Sequence, residues 1–414
     1  MSLPATPGPD EARESVVQQI AGALAAGQDS VVELGRDGAF AERYETLEQL
    51  DFYPPEAREQ VTILRRFGEH RVLADRIGVF DRVAIINDSV LLRDGAAIQS
   101  PNFIPGYLSS IYTTHPGYKA AIAGHDKAES VELDEPVFAP LHPWCKIYGH
   151  FLVEALPRLA VIRELYRLGF SFPVYINADA PKFIEDYLAL ALPEARLLRG
   201  KRGVVYRAGK VLIPNIDMPL MRLTERRVRF LDDLVGGCYG AEQPRRAPWR
   251  KLFLLRPGQA ARGYRYLANQ DTLSGIAAGF GYQSVAPEKL SIAEQVRLFG
   301  EARCIAGEYS SALHNALLAP EGTAVVAFNW VNHYQLCIAQ AKGHGLAVIA
   351  PEAGRFIGAN TSPAEIFTIS ADSFRAALLR CEPVAEVVEM KLAESALARS
   401  VARLRKWFGW GATT

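Results

Sequence analysis

The C-terminal half of the chain alternates short apolar segments with longer amphipathic ones in a regular order. The predicted strands are 251–256, 282–287, 303–307, 323–328 and 346–351. The predicted helices are 269–280, 291–302, one beginning near Ser311 and one through Gln335–Ala341. Strands that alternate with helices imply right-handed crossover connections and a parallel sheet. The pattern therefore predicts the α/β class.

The first half has a looser version of the same pattern. Helices are predicted over residues 11–26, 148–168 and 181–192, and strands over residues 171–177 and 209–214. A segment rich in proline and arginine, 241–251, interrupts the pattern and predicts a domain boundary. We expect an N-terminal helical segment and two domains before a C-terminal amphipathic helix, with the ranges 1–50, 51–245, 246–385 and 386–414.

Composition excludes several classes of protein. The 414 residues are 49% hydrophobic, as in ordinary globular proteins, and 46 basic residues balance 46 acidic ones. A chain without a basic excess is a poor candidate for nucleic-acid binding. The five cysteines are scattered and form no C-x-x-C pair, which argues against a disulfide framework or a thiolate zinc site and favours a reducing cytoplasm.

The two ends of the sequence bear on membrane contact. Residues 1–15 show no apolar core and no positive flank, so no signal peptide is predicted, and no apolar run is long enough to span a bilayer. Residues 391–410 can form an amphipathic helix that carries several arginines and ends near Trp407 and Trp410. Two interpretations stay open: a peripheral membrane-surface helix, or a closing helix packed on the protein itself.

The segment from His142 to Leu159 holds the first candidate for chemistry. His150 and Glu154 are four residues apart, so they share one face of the predicted helix. An imidazole can remove a proton from a hydroxyl, and a carboxylate can orient it or share that role. Trp144 and Tyr148 lie beside them, as suits a sugar site. The alternative is a helix-capping histidine and a surface ion pair, and no third ligand supports a zinc site with His142.

The segment from Ala306 to Phe328 predicts a strand, a small-residue turn and a helix. This arrangement places free backbone N–H groups where a phosphate can bind. Gly307, Ser310 and Ser311 keep the turn narrow, and His314 with Asn315 could reach a ribose, a sugar or a phosphate. The alternative is a tight strand-to-helix connection with ordinary caps.

Arginines follow the first strand of the C-terminal half. Arg256 ends that strand, and Arg262 and Arg265 follow on a loop. Arginines at a strand end can grip a diphosphate through two parallel hydrogen bonds, although loop arginines also occur without any ligand. The sequence lacks the motifs of P-loop kinases, serine hydrolases, zinc proteases and Rossmann dehydrogenases, and it has no D-x-D triplet.

Taken together, these segments resemble glycosyltransferase family 61, in particular its bacterial branch. The resemblance spans roughly residues 140–330, and its order and spacing make it more specific than any single motif. It is carried by residues 148–152, Glu154, 156–159, Arg256, Asn269, 279–280, 287–291, Glu294, Gln295, Leu298, Phe299, Ala302, 307–313 and Asn315.

The resemblance implies a GT-B-like fold, with two Rossmann-like domains whose parallel sheets face a central cleft. It implies a nucleotide-sugar donor, inversion at the anomeric carbon, an acceptor-side domain over 51–245 and a donor-side domain over 246–385. Where many members carry Gly-x-His-Gly-Ala, this chain has Tyr309 and Ser310 at the His and second Gly. The expected donor-binding residues are Arg256, Arg265, Asn269, Gly307, Glu308, Tyr309, Ser310, Ser311, His314 and Asn315.

The resulting expectation is an inverting glycosyltransferase of bacterial capsule or exopolysaccharide synthesis, cytoplasmic or peripheral at the inner membrane face. His150 and Glu154 are the expected catalytic residues, and Trp144 and Tyr148 lie on the acceptor side. We expect a glycan acceptor, no nucleic acid, no cofactor and no divalent metal. Two alternatives stay open: a non-catalytic nucleotide- or sugar-binding protein that keeps the fold, and another enzyme on this fold, such as a nucleotide-sugar epimerase.

Overall fold

A computed structural model describes residues 9–34, 74–87, 89–216, 223–239, 247–258, 265–329, 333–352 and 366–381. These residues form two compact units. The N-terminal unit contains the described residues up to Leu234, and the C-terminal unit contains those from Val235 onward. The predicted domain limits near residues 50, 245 and 385 lie outside the described residues, as do Arg262 and the predicted helix over 391–410.

The N-terminal unit is built on a nine-stranded sheet. Its central strands run in the order β4-β3-β2-β9-β6-β7-β8, while β1 pairs with β2 and β5 pairs with β9. The strands are β1 (Ser30–Glu33), β2 (Arg76–Ile86), β3 (Val90–Arg93), β4 (Ala96–Ala97), β5 (Glu129–Leu133), β6 (Val137–Phe138), β7 (Val174–Ile176), β8 (Leu197–Arg199) and β9 (Val204–Pro214).

This sheet is mixed, so the predicted parallel arrangement holds for only part of it. Strands β5 and β6 pair in parallel with β9, and β6, β7 and β8 continue in parallel. Strand β2 is antiparallel to β1, β3 and β9. The connection from β2 to β3 spans only residues 87–89, and so short a link joins antiparallel neighbours because a parallel pair needs a crossover.

Both faces of this sheet are covered. Along β2, Val83 and Ile85 belong to one buried cluster, whereas Ala84 and Ile86 belong to another. Successive side chains of a strand point to opposite faces, so the two clusters are cores on the two sides of the sheet. The helices of this unit are α1 (Pro9–Ala25), α2 (Tyr107–Thr114), α3 (Pro116–Gly124), α4 (Leu159–Arg167), α5 (Lys182–Ala191) and α6 (Glu225–Gly237), the last extending past the unit boundary.

The C-terminal unit contains the parallel sheet that the sequence predicts. Its five strands run in the order β12-β10-β13-β14-β15, and every pairing is parallel. The strands are β10 (Arg250–Leu254), β12 (Gln283–Val285), β13 (Ala302–Glu308), β14 (Ala324–Phe328) and β15 (Gly345–Ile349), and a separate pair consists of β11 (Tyr266–Leu267) and β16 (Ile366–Phe367).

The helices between these strands also follow the prediction, with one difference. They are α7 (Gln270–Gly279), α8 (Ile292–Gly300) and α9 (His333–Lys342). A further helix over 371–381, which the sequence pattern does not predict, follows β16. Helix α8 begins with a capping box formed by Ser291 and Glu294. The helix expected near Ser311 is instead a short 3₁₀ helix, Leu313–Leu318. Within the described ranges, no helix has the length and apolarity needed to cross a bilayer.

Candidate active site

The segment predicted as one helix over residues 148–168 is irregular in its first half. An α-helical turn, Tyr148–His150, leads into a π-helical turn, Phe151–Ala155, and a 3₁₀ turn, Leu156–Arg158, before α4 begins. The amide of Leu156 donates to the carbonyl of Phe151, five residues back. Pro157 has no N–H and cannot continue an α-helical pattern. Single π-helical turns are rare and often mark functional sites.

Glu154 lies in this π-helical turn and is the centre of a polar cluster. The Nδ1 atom of His150 lies 2.7 Å from Glu154 Oε1, and the Nε2 atom of His142 lies 2.6 Å from Oε2. The hydroxyl of Tyr107 donates to Oε2 over 2.7 Å. The side chain of Glu154 is completely buried, so the alternative of a surface ion pair is excluded.

The ionisation of Glu154 determines which histidine atom can act as a base. Burial alone raises the pKa of Glu154, but the hydrogen bonds and charges of His142 and His150 outweigh it and leave the pKa below its usual value. An ionised carboxylate only accepts hydrogen bonds, so His150 donates through Nδ1–H. In the neutral ring the lone pair is then on Nε2. The His150 side chain is 17% exposed, so this imidazole, rather than Glu154, can meet a substrate hydroxyl.

His142 and Tyr107 are members of this cluster that the sequence analysis did not assign to it. Burial lowers the pKa of His142, which favours the neutral ring. Tyr107 belongs to α2, far from Glu154 in sequence, and no local spacing predicts its contact. His142 and His150 both point a ring nitrogen at the carboxylate. In the part of the chain that the structure describes, no group of His, Cys, Asp and Glu residues is arranged to hold a metal ion.

The two aromatic residues expected beside the base have different neighbours. The Trp144 ring packs edge-on against His150, with centroids 4.9 Å apart, and lies 5.1 Å from Tyr107. Tyr148 is instead hydrogen-bonded through its hydroxyl to Tyr187 over 3.0 Å. Trp144 is therefore part of the environment of the base, and Tyr148 packs on α5.

Arg158 has a supporting position below this cluster. Its guanidinium is buried and donates to the carbonyl oxygens of Pro140 over 2.9 Å and Phe103 over 2.5 Å. Burial lowers the pKa of Arg158 to about 10. These bonds join the segment just before His142 to the segment just before α2, so Arg158 helps to maintain the shape of the site.

A second cluster lies at the carboxyl edge of the sheet in the C-terminal unit. Arg256 follows β10, and Glu308 ends the adjacent strand β13. Glu308 Oε1 accepts hydrogen bonds from Arg256 Nη1 over 2.6 Å and from Arg265 Nε over 2.9 Å. Arg265 also donates to the carbonyl oxygen of Tyr309 over 2.6 Å. The three expected donor-binding side chains are thus bound to one another.

The charge of this cluster favours an anion. Two guanidiniums face one carboxylate, so the group carries a positive charge even when Glu308 is ionised. Burial raises the pKa of Glu308, against the lowering effect of Arg256 and Arg265. In open parallel sheets, ligands bind outside the carboxyl ends of the strands, which is where these arginines lie.

The remaining expected donor-binding residues are largely buried. Gly307 pairs with Leu254 in the sheet, and a Cβ atom at Gly307 would lie 2.9 Å from the Leu254 Cβ, so packing explains this glycine. Asn269 bonds the backbone N–H and C=O of Ile369. The other buried side chains are Tyr309, Ser310, His314 and Asn315, while Ser311 is half-buried.

The buried residues after β13 form contacts within the unit. The His314 ring packs against Tyr309 and Tyr334, and Asn315 donates to the carbonyl of Ala312. Burial raises the pKa of Tyr309. The structure therefore groups Arg256, Arg265 and Glu308 as the polar cluster and places the other side chains mainly in packing roles.

A comparison with known protein families matches the part of the chain that contains both clusters. Residues 148–326 match the family model described as Glycosyltransferase 61. The match covers somewhat less than half of the chain, and it includes His150, Glu154 and the arginine cluster. It supports glycosyltransferase family 61, and with it glycosyltransferase activity, for this protein. No curated protein matches the chain.

Proposed function

We propose that this protein is an inverting glycosyltransferase that moves a sugar from a nucleotide-sugar donor to a hydroxyl of a glycan acceptor. The observation that carries the proposal is the buried Glu154 carboxylate, 2.7 Å from Nδ1 of the partly exposed His150. A carboxylate that fixes one ring nitrogen as a donor prepares the other nitrogen to accept a proton.

In the proposed reaction, Nε2 of His150 removes the proton of the acceptor hydroxyl. The hydroxyl oxygen attacks the anomeric carbon as the bond to the diphosphate breaks, so one displacement inverts the configuration. Glu154 stabilises the imidazolium that forms and keeps the ring oriented. Because Glu154 already accepts hydrogen bonds from His150 and Tyr107 and is buried, we assign it this supporting role.

The arginine cluster of the C-terminal unit supplies the second part of the proposal. A leaving diphosphate gains negative charge, and guanidiniums fixed in place stabilise that charge. Arg256 is 21% exposed and Arg265 is 18% exposed, so both retain surface for a ligand. The oxygens of a bound phosphate would accept hydrogen bonds from the N–H groups of Arg256 and Arg265, either together with Glu308 or in its place.

The finer parts of the assignment stand on the resemblance at residues 140–330. They are the GT-B arrangement of two domains, the nucleotide-sugar donor and a role in bacterial capsule or exopolysaccharide synthesis at the inner membrane face. The positive cluster at Arg256 and Arg265 supports an anionic donor. The N-terminal unit has a mixed sheet, whereas a Rossmann-like domain has a parallel one. The likeness to a Rossmann-like domain is therefore limited to the C-terminal unit.

The test is a donor assay on the full chain and on His150→Ala. A panel of nucleotide sugars is incubated with each protein, and sugar transfer to acceptor or water is followed by mass spectrometry. Removal of a general base lowers turnover by roughly 10²–10⁴-fold. We expect this loss with unchanged affinity for the nucleoside diphosphate, and an inverted anomeric configuration in the product.

The matched control is His125→Ala, which removes a histidine of the same unit that bonds the carbonyl of Ile122 instead of Glu154. This variant should retain turnover. Full turnover by His150→Ala would reject His150 as the base, and a product that retains the configuration of the donor would reject the single displacement.

One observation favours a second candidate, a non-catalytic protein that binds a nucleotide or sugar. Glu308 already engages both arginines, and this lowers the positive charge available to a diphosphate. A binding protein would hold nucleoside diphosphates without turning over any nucleotide sugar, and His150→Ala would then change nothing in the donor assay.

A further inference from the structure

A groove of about 690 Å³ lies on the surface of the N-terminal unit beside the His150 cluster. It is formed by the end of α2, the start of α3 and the short 3₁₀ helix that carries Trp144. Trp144 links the two places, because it lines the groove and also packs 4.9 Å from the His150 ring. The groove and the candidate base are therefore neighbours that share the Trp144 ring.

The walls of the groove are aromatic and apolar. Trp144 and Tyr118 are half-buried, and Ile111 of α2 lines the groove with them. All three pack against a buried cluster that includes Leu108 and Tyr112, so they form a firm surface. Aromatic faces of this kind offer contact area at little cost in side-chain entropy.

The rim of the groove is polar. Asn87, Thr114 and His115 line it and are exposed. The Nδ1 atom of His115 accepts a hydrogen bond from the Gly117 amide over 3.2 Å, so in the neutral ring Nε2 carries the proton and can donate. Thr114 Oγ1 donates to the Ser110 carbonyl and can still accept a hydrogen bond.

This combination matches the two sides of a sugar ring. A pyranose has one apolar face of C–H groups, which packs on aromatic rings, and a rim of hydroxyls, which bond to polar side chains. The groove volume also falls within the roughly 300–1,000 Å³ of pockets that hold small molecules larger than one sugar. We propose that this groove binds the acceptor glycan through the sugar unit or units next to the one that reacts.

The inference rests on the proposed function and adds to it a requirement for an extended acceptor. The reacting hydroxyl would lie at His150, and the neighbouring sugar would lie across Trp144 and Tyr118. A single free sugar would leave the Tyr118 end of the groove empty. The protein should accordingly bind oligosaccharides more tightly than the corresponding monosaccharides.

The experiment measures binding of the full chain to an array of mono- to tetrasaccharides of glucose, galactose, mannose, rhamnose, xylose and N-acetylglucosamine. We expect at least one series in which affinity rises with length. Tyr118→Ala should weaken that binding about tenfold, the equivalent of one aromatic contact. Tyr118→Phe keeps the ring and should retain the affinity.

Two further variants separate groove occupancy from damage to the fold. Thr114→Arg places a long side chain in the groove from an exposed position and should also abolish length-dependent binding. Trp249→Ala removes an exposed tryptophan of the C-terminal unit and should have no effect. Melting temperatures identify any variant that is unfolded, in which case the conclusion rests on the other groove variant.

Failure of this inference differs from failure of the proposed function. An array without length-dependent binding, or equal binding by wild type, Tyr118→Ala and Thr114→Arg, overturns the acceptor groove whatever the donor assay gives. If the groove variants lose oligosaccharide binding while His150→Ala turns over donor as well as wild type, the groove stands as a glycan site and the proposed catalytic role of His150 is overturned.

Discussion

Each unit of this protein holds one buried glutamate between two basic side chains, and the two arrangements differ in what the carboxylate controls. In the N-terminal unit, Glu154 lies between the imidazole rings of two histidines, His142 and His150. In the C-terminal unit, Glu308 lies between two arginines that stay charged. Glu154 selects the tautomer of His150, whereas Glu308 offsets the positive charge of Arg256 and Arg265.

The direction of the pKa change reflects this difference. Both glutamates are desolvated, which raises the pKa of a carboxyl group. At Glu154 the hydrogen bonds from His142 and His150 more than compensate, and the pKa is lowered. At Glu308 burial prevails over Arg256 and Arg265, and the pKa is raised. Two similar sets of contacts thus give opposite responses to acid.

The largest expected effect comes from Glu154→Gln. Removing one member of a buried charged group leaves its partners unsatisfied and costs roughly 3–5 kcal/mol of stability. The unfolding free energy, measured by urea denaturation, should fall by this amount, and donor turnover should be lost with it. Glu308→Gln, the matched change in the other unit, should cost less because Arg256 and Arg265 are partly exposed. Equal losses would contradict the distinction between the two clusters.

The second prediction concerns acid. The pKa of Glu154 is lowered from the ordinary value of 4.5 and that of His142 from 6.5, so the unfolded chain takes up protons first as pH falls. Stability contributed by these groups is complete at neutral pH and declines below pH 6.5, then more steeply below 4.5. Glu308, with a raised pKa, acts in the opposite direction.

Denaturation curves recorded between pH 7 and pH 3 check this sign. Below pH 4.5, Glu154→Gln should flatten the loss of stability with falling pH, and above that value Glu308→Gln should make it steeper. A wild-type protein whose stability rises on acidification, or variants that change the slope in the reverse order, would contradict the assignment.

Arg256→Ala tests the arginine cluster as an anion site. A charge-assisted hydrogen bond contributes about 1.5–3 kcal/mol, so affinity for nucleoside diphosphates should fall roughly tenfold to a hundredfold. Calorimetric titration with UDP, GDP and ADP measures this. Arg375→Ala, which removes an exposed arginine paired with Asp372 in the same unit, is the control and should leave affinity unchanged. Unaltered affinity in Arg256→Ala would remove this cluster from the donor site.

The smallest expected effect is that of Tyr107→Phe. It deletes one hydroxyl that donates to Glu154 and keeps the ring that packs against Trp144. The loss of one hydrogen bond costs about 1 kcal/mol, so turnover should fall about fivefold at unchanged nucleotide affinity. Tyr166→Phe, which removes a hydroxyl bonded to the Phe172 carbonyl, should not alter turnover. Full activity in Tyr107→Phe would show that the histidines alone position the carboxylate.

Regular periodicity made the C-terminal sheet predictable from sequence. Strand β13 was expected over 303–307 and runs from Ala302 to Glu308, and β14 was expected over 323–328 and runs from Ala324 to Phe328. Helical spacing likewise predicted the contact between His150 and Glu154. These features depend on local patterns, which a sequence displays directly.

The remaining features depend on contacts between distant segments. Tyr107 reaches Glu154 only because α2 packs near the irregular helix, and no spacing in the sequence encodes that. The antiparallel pairing of β2 with β9 joins segments far apart in the chain. Arg256 and Glu308 were each expected to bind a ligand, whereas the adjacency of β10 and β13 pairs them with each other.

Gly307 links backbone packing to the electrostatics of the next residue. Because Gly307 has no side chain, β13 can lie close to Leu254, its partner in β10. Leu254 lies two positions before Arg256, and Gly307 directly precedes Glu308. A methyl group at this position would lie 2.9 Å from the Leu254 Cβ, so the neighbouring strands would have to shift, and the ion pair at their ends would shift with them. Substitution of Gly307 by alanine would thus change the geometry of the Arg256–Glu308 ion pair without changing either of its side chains.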